Sequence, residues 1–578
     1  MKMFKNIRVI ATVALGIAAA VMAGCNKMLD LKPQDQISDG NYWNSAADFK
    51  LYATQFYAWT RDFGSAVYDG YHSDTRSDLL TSTTPNIYSN GTNSIPSSDG
   101  TFTDAYKRIR LVNELIAKAA SYSTPSEIAV YTAEARFFRA YIYFELLQLY
   151  GDAIIVEGLP QTNDPLLTAA RNSREEVCDF IIKDLNAAIP DLPLQGNITQ
   201  ADAGRVSKGT AQAFLSRVAL FEGTWQKFRN NTARAAMLLD IAAKASLGVI
   251  NSKQYSLFKP AALGDSALKY LFILEDVKSN PASLKKSSNT EYIFSTRHDG
   301  VIDPIGLNIT HNCFANAAQM VTRKFATMYL CADGLPVNKS AVFAGYSTMT
   351  SEFQNRDNRM RYTLMQGRKP YWRESSPRVT WLGDAADLAS AVTSFTPAIN
   401  SGYHNQKWAT ERALTTKYEG YDFPIIRYAE VLLNYAEAVY ERDGAISDQD
   451  LDLSLNLVRN RINTTMPKLS NAFVNANGLD MRTEIRRERT VEFYNEGFRI
   501  DDLKRWKTAE TEMPQDMLGI KWTGTEFQTA WSNVTFPKNA DGCLIIETGR
   551  KWTNKNYLYP LPSDQLSLNP NLKQNPDW

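Results

Sequence analysis

The sequence predicts a mostly α-helical protein in which tetratricopeptide-like helix pairs form a scaffold and an irregular, loop-rich part carries short strands. Three observations lead there. Four segments share one apolar spacing, i, i+3, i+4, i+7, with alanines mixed among bulky residues. Between residues 251 and 422 that periodicity gives way to prolines, glycines and short strand-like runs such as EYIFST at 291–296. A third stretch, 64–100, is rich in Gly, Ser, Asn, Asp and Thr over a length unusual for a connection in a packed protein, a mark of functional loops.

In chain order, the first element is an address label. Lys2, Lys5 and Arg8 precede an apolar run from Ile10 to Ala23, too short and too rich in alanine for a membrane span. Met22, Ala23 and Gly24 then lead into Cys25, which resembles the lipobox read by bacterial lipoprotein signal peptidase. Residues 1–24 are thus expected to be removed and Cys25 to carry the acyl chains, with 25–38 as a polar tether. Several acyl chains, at about 0.8 kcal/mol per buried methylene, anchor a protein without a spanning helix. Losing the leader leaves 60 basic against 62 acidic residues, a net charge of −2. Neither that value nor the precursor's +1 suits a nucleic-acid partner.

A first helix is predicted from Ser45 to Phe63, with Phe49, Tyr52, Phe56, Trp59 and Phe63 on one face. The four shared stripes come later. They are Phe137, Ala140, Tyr141, Phe144 and Leu147; Ala211, Phe214, Leu215, Val218 and Phe221; Ala235, Leu238, Leu239, Ala242 and Ala245; and Ala429, Leu432, Leu433, Ala436 and Tyr440. Small residues let helices approach while large ones fill the grooves, as tetratricopeptide-like pairs require, although no clean 34-residue repeat is visible. Ser447 and Asp450 fit an N-cap and its acidic partner three residues on. The scaffold is assigned mainly to 101–250 and 423–506, and the loop-rich part to 64–100 and 251–422, within one unit spanning 39–578.

Several ordered motifs carry a resemblance. They are LDLKPQDQISDGNYWNS (29–45), AEARFFRAYIYFELLQLYGD (133–152), RVSKGTAQAFLSRVAL (205–220), FPIIRYAEVLLNYAEA (423–438), LNLVRNRIN (455–463), IRRERTVEFYNEGFRIDDLKRW (485–506) and YLYPLPSDQLSLNPNLKQNPDW (557–578). Together they resemble the SusD/RagB family of outer-membrane nutrient-binding lipoproteins, over essentially the whole mature chain. The 251–422 region shows only scattered echoes, such as GYHNQKW at 402–408, and that is where members diverge. The resemblance implies about four tetratricopeptide-type helix pairs and a lipid-anchored, surface-exposed place on the outer membrane of Bacteroidetes. It also implies a hinged-lid role over a SusC-like TonB-dependent transporter, delivering oligosaccharides or, in RagB-like members, peptides. A purely structural helical-repeat adaptor fits less well with the long aromatic loops.

Chemistry beyond binding finds little support. In the block 482–506, Glu484 with Arg487 and Arg489 with Glu492 are spaced to pair on a helix surface. A glycosidase needs a carboxyl held protonated, and an adjacent arginine does the reverse. The four histidines, His72, His298, His311 and His404, are far apart, and the run from Asp448 lacks the Gly and Glu of a calcium loop. No cofactor is therefore expected; a structural calcium ion held by loop carbonyls would leave no mark in the sequence. Cys178, Cys313, Cys331 and Cys543 show no paired spacing, which argues against a disulfide framework.

For a sugar ligand, the useful groups are flat aromatics that stack on the pyranose C–H face, beside planar polar side chains. Trp59 and Trp506 belong to structural patterns, as does Trp408 in GYHNQKW. Candidates off any stripe are Tyr68, Tyr71 and Tyr88 with Asp69, Asp74 and Asn90 in the first loop. In the divergent region they are Tyr371, Trp372, Trp381 and Tyr403 with Arg373 and Arg378. Trp372 and Trp381 head the list.

Overall fold

The computed structural model describes residues 42–64, 67–314, 319–366, 369–373, 376–381, 401–410, 417–530, 532 and 535–578. At 314 and in the two strands 369–373 and 376–381, only the backbone is described. The leader, Cys25 and the 25–38 tether lie outside these residues.

Helices of nine residues or more are numbered here. The first, α1 (Ala46–Thr54), starts at Ser45, whose backbone N–H donates to the Asp48 carboxylate at 2.8 Å. It tightens into a 3₁₀ turn over Gln55–Trp59 and stops there, short of the predicted Phe63. Thr60 turns extended and its hydroxyl meets that of Thr296, while Thr296 donates to the Arg61 carbonyl. Tertiary pairing with a strand thus ends the helix where the aromatic spacing would have continued it.

The scaffold follows as α2 (Gly100–Ala120), α3 (Pro125–Tyr150), α4 (Arg174–Ala188), α5 (Lys208–Lys227) and α6 (Thr232–Ser252). Asp99 caps α2, proline opens α3, and a Ser173–Glu176 capping box opens α4. Sequential neighbours pack together: α2 on α3, α3 on α4, and α5 on α6. Where α5 meets α6, a Cβ on Gly223 would stand 3.0 Å from Leu239 Cγ, so a side chain there would force Leu239 to give way. The predicted stripes on α3, α5 and α6 are buried throughout. Helix α7 (Tyr428–Asp443) lies against α5 and α6, and α8 (Met481–Phe493) against α7. Ser447 caps a short helix, Asp448–Leu453, as its spacing predicted.

Four two-stranded antiparallel ladders complete the described structure. They pair β1 (Leu80–Thr81) with β3 (Met320–Val321), and β2 (Tyr292–Thr296) with β6 (Phe423–Arg427). The other two join β4 (Lys369–Arg373) to β5 (Ser376–Trp381) and β7 (Met517–Lys521) to β8 (Cys543–Glu547). The run EYIFST is indeed a strand, and its partner β6 leads directly into α7.

Two apolar cores result. One fills the helical scaffold, and the other gathers the irregular part around Trp408, Phe272, Tyr421 and Phe423. Arginines and carboxylates cross between them. Arg427, on β6, meets Glu291 at 2.9 Å and both Glu492 and Glu496 at 2.7 Å. Arg359 reaches Asp357, Glu488 and Glu492, and Arg461 reaches Glu291 and Glu492. All are buried. This corrects the surface pairing expected within 482–506. Arg487 does meet Glu484 at 3.3 Å, but Arg489 turns to Asp502, and Glu492 is held by three arginines from outside its helix. Asn575 makes another long link, donating to the Tyr150 carbonyl at the end of α3 and accepting from Arg171.

The four described cysteines are free and buried. Among the described residues no helix is long and apolar enough to cross a membrane.

Candidate ligand-binding cleft

The segment leading into the β4–β5 hairpin builds a cleft. Thr348 caps a one-turn helix, Met349–Phe353, by accepting from the Ser351 N–H. Asn355 then takes a left-handed conformation (φ 54°), held by Ala332 N–H donating to its carbonyl at 2.7 Å. That reversal swings Gln354 and Asn355 outward and sends Arg356 and Asp357 inward. Arg356 spans the floor, donating to the carbonyls of Ala326, Tyr329 and Glu352. Asp357 receives the guanidinium of Arg359 and so joins the floor to the buried ion lattice. After the short helix Met360–Thr363, Gln366 forms the last lining residue, three positions before β4.

The cleft encloses about 380 Å³. Its walls present Gln354, Asn355, Asn358, Arg361 and Gln366 beside the half-buried ring of Phe353. Amides and a guanidinium offer both donors and acceptors in flat arrays, which suits vicinal hydroxyls. Asn358 is fixed by donating to the Ile462 carbonyl, and Arg361 by pairing with Asp265. Preorganised polar groups of this kind lose little freedom on binding.

The hairpin that follows in the chain carries the leading sequence candidates. Lys369 stands opposite Trp381 and Tyr371 opposite Val379, with an irregularity before Arg373 pairs with Ser376. Tyr371, Trp372, Arg373, Arg378 and Trp381 therefore share one hairpin, and their side chains lie outside the described residues.

Other candidates are placed differently. Tyr403 is buried and donates to Glu352 at 2.7 Å, on the helix that forms the cleft wall; burial raises the Glu352 pKa. Tyr403 thus braces the wall from behind instead of facing a ligand. Tyr68 is buried beneath Gly497 in the second core. Asp74 is buried too, accepting from the Asn495 backbone N–H at 2.6 Å, and burial pushes its pKa up to about 7. These three expectations are corrected: short-range polarity in the sequence concealed tertiary partners, 421 residues away for Asp74 and 51 for Tyr403. Tyr71 and Tyr88 are half-buried and both contact Arg76 with their rings, at 4.4 and 3.9 Å, while Asn90 accepts from Thr92 and receives Lys551 N–H at its carbonyl. That cluster fastens the first loop to the C-terminal segment. Asp69 is exposed, away from the cleft lining. Trp408 and Trp506 are buried, as their patterns predicted, donating to Asn495 O and Glu437.

Sequence reasoning overlooked Gln354, Asn355, Asn358 and Gln366. The signal was available in SEFQNRDNRMRYTLMQ (351–366), a run crowded with amides and arginines. A second opening, about 490 Å³, lies between the 195–205 loop and β2. Its charged lining is partly paired internally, as in Lys286–Asp422, and its aromatic members, Tyr292 and Phe294, belong to β2. Among the described residues no group of three His, Cys, Asp or Glu side chains is arranged to hold a metal ion.

Comparison with known proteins follows the same line. A family model described as the SusD family matches residues 281–578, and one described as starch-binding associating with outer membrane matches 26–220. A SusD-like protein from Bacteroides ovatus is 22% identical over 601 positions, covering 99% of this chain and 98% of its own. A SusD-like carbohydrate-binding protein from Bacteroides fragilis superposes with a TM-score of 0.71 at 22% identity, over 92% of this chain and 99% of its own. Surface glycan-binding protein A from Bacteroides fluxus does so at 0.59 and 17%, covering 92% and 99%.

Proposed function

The chain belongs to the SusD family, and from that premise we propose that it binds an oligosaccharide or polysaccharide at the cell surface without transforming it. The amide-lined cleft, built by the segment that runs on in the chain to the Trp372–Trp381 hairpin, is the observation that carries this reading. Aromatic rings stack on sugar faces, and the amides of Gln354 and Asn355 meet the hydroxyls. The absence of turnover in this reading rests on the carboxylates near the cleft: Glu352, whose pKa burial raises, sits behind the wall on Tyr403, and Asp357 is taken up by Arg359. Glu492, for all its burial, is held well below the usual range by Arg461, Arg427 and Arg359, so it cannot serve as a proton donor. Cys25 carries the lipid, the outer membrane is the site of anchorage, and a SusC-like TonB-dependent transporter is the partner. A binder of this kind, tethered by lipid, hands its ligand to a barrel and acts as its hinged lid.

Calorimetry against a panel of soluble polysaccharides tests the binding. Asn355→Ala and Gln354→Ala, both exposed positions, should weaken binding roughly tenfold, a loss of about 1.4 kcal/mol, with the fold intact. Binding that is unchanged in both variants moves the site elsewhere. Binding to peptides but to no glycan overturns the sugar reading.

A further inference from the structure

A small void lies where the first loop, the turn Arg499–Arg505 and the C-terminal segment meet. Its lining includes Arg76, Lys504, Trp552, Asn93, Asn556 and Tyr559, and no aspartate or glutamate side chain. Lys504 is 3% exposed, and its ammonium contacts the Tyr559 ring at 4.4 Å without forming a hydrogen bond or ion pair among the described residues. Asp501, beside it in the same turn, has its carboxylate on His72 at 2.5 Å. The Trp552 indole N–H is buried and has no acceptor. Arg76 donates to the Tyr559 hydroxyl at 3.0 Å and is otherwise faced by rings. The Asn556 carbonyl accepts from Thr553, and its NH₂ group donates to the Asn93 side-chain carbonyl at 3.5 Å. Arg229 adds another cation by donating to the Lys504 carbonyl.

The void measures about 10 Å³, room for one water-sized species. Donors and positive charge crowd it, and acceptors are few. A water molecule would bring two hydrogens needing acceptors and would cancel none of the charge on Lys504 and Arg76. A monoatomic anion accepts from every donor and cancels charge that burial otherwise makes costly. We propose that this void is a halide site, occupied by chloride, which locks the first loop and the C-terminal segment onto the Arg499–Arg505 turn. Burial, against the pull of Asp501 and helped by Arg76 and Arg174, presses the Lys504 pKa down to about 8, the direction a bound anion would reverse.

Crystals of the protein soaked in bromide give the direct test, because bromide scatters anomalously. The expected result is one anomalous peak in the void, in contact with Lys504 Nζ and Trp552 Nε1. In solution, chloride should raise the melting temperature by a few degrees over gluconate at equal ionic strength, saturably. Lys504→Met should abolish that difference. Should Lys504→Met fail to fold, Trp552→Phe, which keeps the ring and removes one donor, should shift the chloride midpoint to higher concentration. No peak in the void, or equal melting in chloride and gluconate, overturns the proposal. A peak without the chloride-specific rise marks an adventitious ion only, and overturns it as well.

Discussion

Arg427 on β6 and Glu492 on α8 face each other at 2.7 Å, both almost wholly buried, although 65 residues separate them. Their pairing fixes the strand of the irregular part against the scaffold. Replacing such a pair by apolar groups of equal volume is often harmless, but removing one partner strands the other. Arg427→Met should therefore cost about 3–5 kcal/mol, read as a lower denaturation midpoint in urea. A loss below about 1 kcal/mol would mean that water reaches the lattice and screens it.

His72 is predicted to make stability depend on pH. Its two ring nitrogens lie 2.5 Å from Asp501 and 2.8 Å from Glu145. Burial and Arg61 oppose the proton, but the two carboxylates outweigh them, and the pKa is raised above 6.5. A raised pKa means that the folded state binds the proton more tightly than the unfolded one. The resulting stability is complete below about pH 6.5 and is lost as pH rises through the folded value. Denaturation midpoints of wild type minus His72→Gln, from pH 6 to 9, should thus fall with pH. A flat difference would show that folding leaves the imidazole pKa unshifted, and a rise with pH that folding lowers it. Subtraction removes Lys407, whose pKa burial lowers to about 8 and whose slope has the opposite sign.

Trp372→Ala and Trp381→Ala should abolish or strongly weaken glycan binding while the melting temperature stays within a degree or two. Trp408→Ala is the contrasting variant. Trp408 is buried, parallel to Phe423 at 5.8 Å, and donates to Asn495 O at 3.0 Å. Its removal should cost about 3–5 kcal/mol. A melt that falls equally in all three variants would place the hairpin tryptophans in a core.

Lipidation is read by metabolic labelling with a fatty acid. Cys25→Ala should lose the label and leave the outer-membrane fraction. Label retained in the variant would refute the anchor.

Co-expression with a SusC-like transporter should yield a complex in mild detergent, independent of the tryptophans. Repeated failure to co-purify would refute the lid.

Much of the scaffold was legible because the helices bury stripes that a 3.6-residue period reveals, as with Phe137, Ala140 and Phe144 on α3. Ser447 was legible for a different reason, since an N-cap is a local bond. The end of α1 was not, because a hydroxyl at Thr296 decides it. The site divides in the same way. Trp408 and Trp506 declared themselves through family-like runs, whereas Tyr68, Asp74 and Tyr403 passed for surface residues in polar neighbourhoods. Their partners at 497, 495 and 352 are remote in sequence, and no local pattern encodes them. The cleft amides were missed because attention to rings passed over the groups that rings work beside.

The far-reaching bonds also order the protein's biogenesis. Glu291 finds its cations only at 427 and 461, and Arg359 two of its three acids only at 488 and 492. The end of α3 waits still longer, for Asn575. A chain emerging from its N-terminus can form α2 to α6 early, since their contacts are mainly between neighbours. It cannot discharge its buried carboxylates and guanidiniums until nearly all of it is present. Vectorial transit through a membrane is thereby compatible with this architecture: the half-emerged chain holds helices that can form and melt, and the step that sets them comes after passage.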